Sequence, residues 1–115
     1  MAIFVETNSP QSLVGKIKEA IDQNKIDTWS YDSDGDFTHN VDQWRYNAWI
    51  RPIVEDKRVV FAILGRTDLP LSVVDYGVYH GRFVEMLLNH LDSQCSNITV
   101  TPMPVSKYDN LGKRD

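Results

Sequence analysis

The sequence predicts an α+β fold in which two helices pack on one face of a mostly antiparallel sheet, as a two-layer sandwich. Three observations predict it: two amphipathic helical segments, consecutive strand-like segments joined by short turns, and 42% hydrophobic residues in a chain of 115. A chain of this length and composition buries one core, and two amphipathic helices most simply cover one sheet face. The predicted order is β-α-β-β-β-β-α-β, with residues 1–105 as a single domain and 106–115 as a loosely ordered tail.

The longest helix is predicted over residues 72–91. Ser72 and Asp75 match a capping box, in which a serine hydroxyl accepts a hydrogen bond from a first-turn amide. The apolar residues that follow recur at the three- and four-residue spacing of a buried helical face: Tyr76, Tyr79, Phe83, Met86, Leu87 and Leu91.

Gly77 and Gly81 interrupt this helix one turn apart. Each glycine in a helix interior costs roughly 1 kcal/mol relative to alanine, so the pair calls for a packing or functional reason. We favour close approach by a strand or helix of the same domain. The alternative is a groove that a ligand or partner occupies.

The other helix begins at Ser9 and Pro10, a capping residue followed by proline at the first helical position, and ends near Asn24. Strands are predicted from period-2 alternation and apolar runs, with Asp34 and Gly35 forming a hairpin turn. These strands are residues 2–6, 28–32, 36–39, 44–54, 58–65 and 97–101.

Charge and cysteine content exclude several classes of protein. The formal net charge is −4, whereas proteins that bind nucleic acid or anionic membranes carry basic surfaces. The single cysteine, Cys95, forms no internal disulfide and fits a reducing compartment. The first residues lack the basic segment of a signal peptide. We therefore expect a cytoplasmic protein that binds neither nucleic acid nor membranes.

The first candidate site is acidic and comprises Asp32, Asp34, Asp36 and Asp42, together with His39. No lysine or arginine lies between Lys25 and Arg45, which predicts that these carboxylates are locally unneutralised. The spacing fails the calcium-loop pattern, because glycine is at the fourth loop position and no glutamate is at the twelfth. We interpret the segment as a solvated turn with at most weak metal binding, and we expect no metal and no cofactor.

The second candidate site lies on the 44–54 strand, where alternation places Arg45, Asn47, Trp49 and Arg51 on one face. If both helices cover the opposite face, this one is bare. Arginine and tryptophan together are typical of dimer interfaces, can hold a planar anionic ligand, or can form plain surface. Arg66 and Arg82 are further candidates for binding an anion.

The third candidate site lies early in the long helix and comprises Tyr76, Tyr79, His80 and Arg82. His80 lies one turn after Tyr76, so the two could share a hydrogen bond. If the protein is an enzyme, the candidate catalytic residues are His80, His39 and Tyr76. No specific catalytic motif accompanies them.

The favoured interpretation is a small cytoplasmic binding or interaction module without catalytic activity of its own, forming a homodimer through the bare sheet face. One alternative is an enzyme acting on a small anionic or phosphorylated substrate. Its histidine would act as acid or base, and Arg51 or Arg66 would bind the anion. Another is a regulatory or inhibitor protein that presents acidic residues to a basic protein partner. Those residues are Asp27, Asp32, Asp34, Asp36 and Asp42.

Overall fold

A computed structural model describes residues 2–109 and confirms the α+β fold. The elements, in chain order, are β1 (Ile3–Glu6), α1 (Pro10–Asp22), β2 (Trp29–Tyr31), β3 (Phe37–His39), β4 (Ala48–Glu55), β5 (Arg58–Gly65), α2 (Val73–His90), a 3₁₀ turn (Asp92–Gln94) and β6 (Asn97–Val100). The strands form one six-stranded sheet in the order β2-β3-β4-β5-β1-β6, and each neighbouring pair is antiparallel. In residues 2–109, no helix combines the length and apolar character that crossing a membrane requires.

The core lies between the helices and one face of the sheet. Side chains alternate along a strand, so every second residue of the central strands points toward the helices. Leu13 and Ile17 of α1 and Phe83 and Leu87 of α2 belong to the same buried cluster. The strand residues of that cluster are Ile3, Val5, Ile50, Val59, Phe61 and Ile63. Both helices therefore cover one sheet face, as the sequence predicts.

The opposite sheet face is covered in part by the chain itself, so the prediction that it is bare is wrong. Residues 105–109 lie against it. The Tyr108 ring meets the Phe4 ring edge-on at 5.8 Å, and its hydroxyl donates to Glu55 at 2.9 Å. Asp109 accepts a hydrogen bond from the Ile63 amide of β5. Val60 and Ala62, which point to this side, are 0% exposed.

Part of the predicted C-terminal tail, residues 106–109, thus forms defined contacts. Its remainder, residues 110–115, lies outside the described residues.

β4 begins at Ala48, not at residue 44. Residues 42–47 form turns, and Tyr46 has a φ of 62°, a left-handed conformation that a strand does not contain. The Tyr46 amide donates to the Thr38 hydroxyl at 3.1 Å, and the Trp44 carbonyl accepts a hydrogen bond from Tyr79 of α2. These partners lie on β3 and α2, so the turn is stabilised by contacts that local alternation does not reveal.

Gly77 and Gly81 lie on an open surface of α2, which contradicts the predicted close approach by another segment. A Cβ added at either position would meet nothing within 4 Å among the described residues. Packing within residues 2–109 therefore does not account for the two glycines.

Candidate functional site

The acidic turn between β2 and β3 is organised by Asp32. Its Oδ1 accepts hydrogen bonds from the amides of Asp34 at 3.0 Å and Asp36 at 3.1 Å, and Gly35 supplies a φ of 84°. Ligand atoms of the three carboxylates lie within 4.8 Å of one another. His39 is not part of this group among the described residues.

Arg51 neutralises the buried member of this group. The Asp36 side chain is fully buried, and it accepts two hydrogen bonds from the Arg51 guanidinium, at 2.9 Å from Nε and 2.8 Å from Nη2. The prediction of locally unneutralised carboxylates is therefore wrong for Asp36, because its counter-ion comes from β4. Arg51 also has its pKa raised, chiefly by this hydrogen bond. The pair joins the turn to the sheet, a structural role for a residue predicted to hold a ligand.

The predicted surface of Arg45, Asn47, Trp49 and Arg51 does not form as one strand face. Arg45 donates to the Asn40 carbonyl at 2.9 Å, and Asn47 donates to Asp75 at 3.0 Å; both lie in the turn before β4. Trp49 is half-buried and stacks with Tyr46 at 6.5 Å between ring centroids. Arg66 pairs with Asp68 in the loop after β5.

His80 and Tyr76 are in contact, but the predicted hydrogen bond between their side chains does not form. Their ring centroids are 4.8 Å apart, and His80 Nδ1 lies 2.7 Å from the Tyr76 carbonyl oxygen. His80 is 1% exposed. The buried Tyr76 hydroxyl has no hydrogen-bond partner within residues 2–109.

The cleft beside His39 brings two further predicted site residues together. It lies between the β2–β3 hairpin and the C-terminal half of α2, and it has a volume of about 260 Å³. His39 and Arg82, which come from different candidate sites in the sequence, meet there. The cleft is lined by Thr28, Trp29, His39, Arg82, Glu85, Met86, Asn89 and His90.

The partners of His39 fix its protonation state. Arg82 Nη1 lies 3.2 Å from His39 Nε2, and arginine can only donate, so Nε2 is the acceptor. Nδ1 therefore carries the proton and donates to the Thr28 carbonyl at 2.8 Å. The ring also stacks on Trp29 at 4.9 Å. Burial lowers the pKa of His39, the hydrogen bond to Thr28 raises it by less, and Arg82 lowers it again. The net pKa is lowered, so His39 is neutral at pH 7.

Tyr79 positions the two sides of the cleft. Its ring is fully buried, and its hydroxyl lies 3.0 Å from the Thr38 hydroxyl and donates to the Trp44 carbonyl. Burial raises the pKa of Tyr79, which keeps the phenol protonated. Arg82 follows three residues later on α2, so the Tyr79 contacts fix its position relative to His39 on β3.

We expect the protein to lose stability as the pH falls below about 6.5, the ordinary pKa of histidine. Because the pKa of His39 is lowered in the folded state, the unfolded chain takes up its proton first, which favours unfolding. The contribution of neutral His39 to the free energy of unfolding is complete above about pH 6.5. It decreases as the pH falls from there toward the lowered pKa of the folded state. Urea unfolding from about pH 7.5 to about pH 5 measures it.

The His39→Gln variant should show a flatter pH dependence over that range. The His90→Gln variant, which alters an exposed histidine, should keep the wild-type slope. An unchanged slope in His39→Gln would assign the pH dependence to another group.

A second concave surface, which we call the α2–β6 groove, lies on the other flank of α2. It has a volume of about 440 Å³. Val84 and Leu88 line one side, and Ile98 and Val100 of β6 line the other. In the described residues β6 pairs only with β1, so its outer edge is open.

Cys95 lies at one end of the groove and is half-buried. Its thiol donates to the Leu91 carbonyl at 3.4 Å. Burial raises the pKa of the thiol, and Asp92 adds to the effect, so Cys95 lacks the thiolate character of a nucleophile.

Comparisons with protein-family models, curated proteins and solved structures gave no match to this chain. Its function is therefore inferred from its own residues. The cleft has no short-range signal in the sequence, because His39 and Arg82 are 43 residues apart.

Proposed function

We propose that this chain is a small interaction module, without catalytic activity of its own, that acts as a homodimer through the α2–β6 groove. The observation that carries the proposal is an open apolar groove next to an open strand edge. Large apolar side chains there are exposed, including Leu88 at 57% and Val100 at 39%. Contiguous exposed apolar surface of this kind marks protein–protein contacts.

The spacing of apolar residues on α2 favours a second copy as the partner. A two-fold dimer uses the same patch on both subunits, so the patch must be complementary to itself. Val74 and Leu88 lie seven residues before and after Gly81, and Val78 and Val84 lie three before and after it. Two antiparallel copies of α2 crossing at Gly81 therefore place Val74 against Leu88, and Val78 against Val84, of the opposing copy.

Glycine at the crossing point adds a physical reason for this geometry. A glycine lets two helix backbones approach closely, because it has no side chain to separate them. The space around Gly77 and Gly81 is open in the described part of the chain, so a second helix can reach both positions.

The open edge of β6 is a second feature that favours contact with another chain. Residues 96–101 contain no charged side chain, whereas open edge strands usually carry charges that prevent pairing. Ile98 and Val100 are in register with Val5 and Ile3, so their side chains point toward the helix layer and the groove.

Sedimentation at roughly 1–100 μM, with protomer concentration as the variable, tests the proposal. The wild type should be a dimer at micromolar concentration, and Leu88→Glu should be monomeric because it places a charge in the groove. Leu69→Glu is the matched control, since Leu69 is 54% exposed and lies outside the groove. A wild-type monomer throughout this range contradicts the proposal.

A further variant, Trp49→Ala, tests the opposite sheet face as the dimer interface. Weakened association in Trp49→Ala, with Leu88→Glu still dimeric, would place the interface on that face.

The cytoplasmic location remains a prediction. The enzyme and inhibitor alternatives also remain predictions. The two histidines predicted to act in catalysis do not lie together. His39 lines the cleft, whereas His80 lies on α2 against Tyr76. Arg51 and Arg66, named as anion-binding residues, are each paired with an aspartate.

A further inference from the structure

Arg82 carries a positive charge without a carboxylate partner in the described part of the chain. Its hydrogen bond goes to the neutral ring of His39, and the ion pairs of residues 2–109 do not include it. Arg51 and Arg66 differ, since each binds an aspartate through two nitrogens. Arg45 donates instead to the carbonyl and the side-chain amide oxygen of Asn40. Arg82 therefore keeps donors for a group that enters the cleft.

The cleft places further polar groups around this guanidinium. Glu85 and Asn89 lie on the same flank of α2 as Arg82, at helical spacing of three and seven residues. The Trp29 and Met86 side chains, 1% and 4% exposed, form an apolar floor. An apolar surface with a few convergent polar groups is the usual composition of a small-molecule site.

The charges select one class of ligand. A guanidinium such as that of Arg82 can bind a carboxylate through parallel N–H donors. Glu85 lines the same small cleft, and its negative charge disfavours a doubly charged phosphate. A carboxylate such as Glu85 can instead accept a hydrogen bond from a hydroxyl or amino group. A volume of about 260 Å³ is below the range of drug-sized pockets, roughly 300–1,000 Å³.

We propose that the His39–Arg82 cleft is a binding site for a small, singly charged carboxylate that also carries a hydroxyl or amino group. The carboxylate lies on Arg82, and the hydroxyl or amino group lies toward Glu85 and Asn89. His39 holds Arg82 in place as a neutral acceptor, and its own Nδ1 is fixed by the Thr28 carbonyl. The cleft and the α2–β6 groove are lined by different residues.

Titration with lactate, alanine, acetate and inorganic phosphate tests the site, with nuclear magnetic resonance of the Arg82 Nε–H and Trp29 indole N–H as the readout. Lactate or alanine should give saturable shifts at both groups. Acetate, which lacks the second group, should bind more weakly, and phosphate should bind weakest. Saturable binding by none of the four, or phosphate binding tighter than both lactate and alanine, would overturn the proposal.

Variants assign the binding to named residues. Arg82→Gln should abolish the shifts of the Trp29 indole, and Arg82→Lys should weaken binding by about tenfold or more, because lysine lacks the planar fork. Arg66→Gln is the matched control and should bind as the wild type does. Glu85→Gln should reduce the advantage of lactate and alanine over acetate. Wild-type affinity in Arg82→Gln would exclude the site.

The Leu88→Glu variant tests carboxylate binding separately from dimer formation. Leu88→Glu should bind the same carboxylates with wild-type affinity, since Leu88 lines the groove on the other flank of α2. Urea unfolding of each variant confirms that a loss of binding reflects the altered side chain and not loss of the fold.

Discussion

Replacing Phe83 with alanine should lower the free energy of unfolding by roughly 3–5 kcal/mol, the cost of removing a large aromatic side chain from a core. Phe83 is 0% exposed. Its ring contacts those of Trp29, Phe37 and Phe61, at centroid distances of 5.1, 5.7 and 4.8 Å. It therefore joins α2 to β2, β3 and β5, and the cavity left behind would lie where these elements meet.

Chemical unfolding in urea measures this change. Because a domain of this size has a total stability of about 5–15 kcal/mol, Phe83→Leu supplies a milder variant that should remain folded and lose less. Leu69→Ala is the control, since Leu69 is 54% exposed and should change stability by less than about 0.5 kcal/mol. A Phe83→Ala loss similar to that of Leu69→Ala would contradict the described core.

The second large effect is expected from Arg51→Met, which leaves the fully buried Asp36 carboxylate without its guanidinium. Removing one partner of a buried ion pair costs about 3–5 kcal/mol. We expect about 3 kcal/mol, at the lower end, because the Arg51 side chain is 40% exposed and water can enter in its place. The measurement is again the free energy of unfolding.

A double-mutant cycle separates the interaction free energy of the pair from the effect of removing each side chain alone. Arg51→Met combined with Asp36→Asn should cost less than the sum of the two single changes, because no unpaired charge remains buried. Arg66→Met removes an exposed pairing with Asp68 and should leave the free energy of unfolding nearly unchanged, because water screens exposed ion pairs. Additive single effects in the cycle would show that the two groups do not interact in solution.

Elements with local causes were predictable. Ser72 accepts a hydrogen bond from the Asp75 amide at 3.0 Å, as the capping box requires, and α2 begins at the next residue. Gly35 adopts positive φ in the turn between β2 and β3, as the Asp-Gly pair predicts. In each case the controlling partners lie within a few residues in the chain, so the sequence pattern contains them.

Residues 44–47 show where local patterns fail. Alternating aromatic and polar residues favour a strand, but the segment forms turns whose hydrogen bonds go to Thr38 and Tyr79. The free energy gained from these contacts exceeds the local preference for extended backbone. Strand propensity depends strongly on such surroundings.

The sequence by itself determined the fold class, the sheet-forming segments and the two helices, because hydrophobic periodicity and caps act over a few residues. Only the tertiary structure decided which charges meet. Asp36 accepts a hydrogen bond from Arg51 across the sheet, and His39 accepts one from Arg82 on α2. Residues 105–109 cover a sheet face that was predicted to be bare. These contacts join residues far apart in the chain, so the residues adjacent to each side chain in the sequence do not predict them.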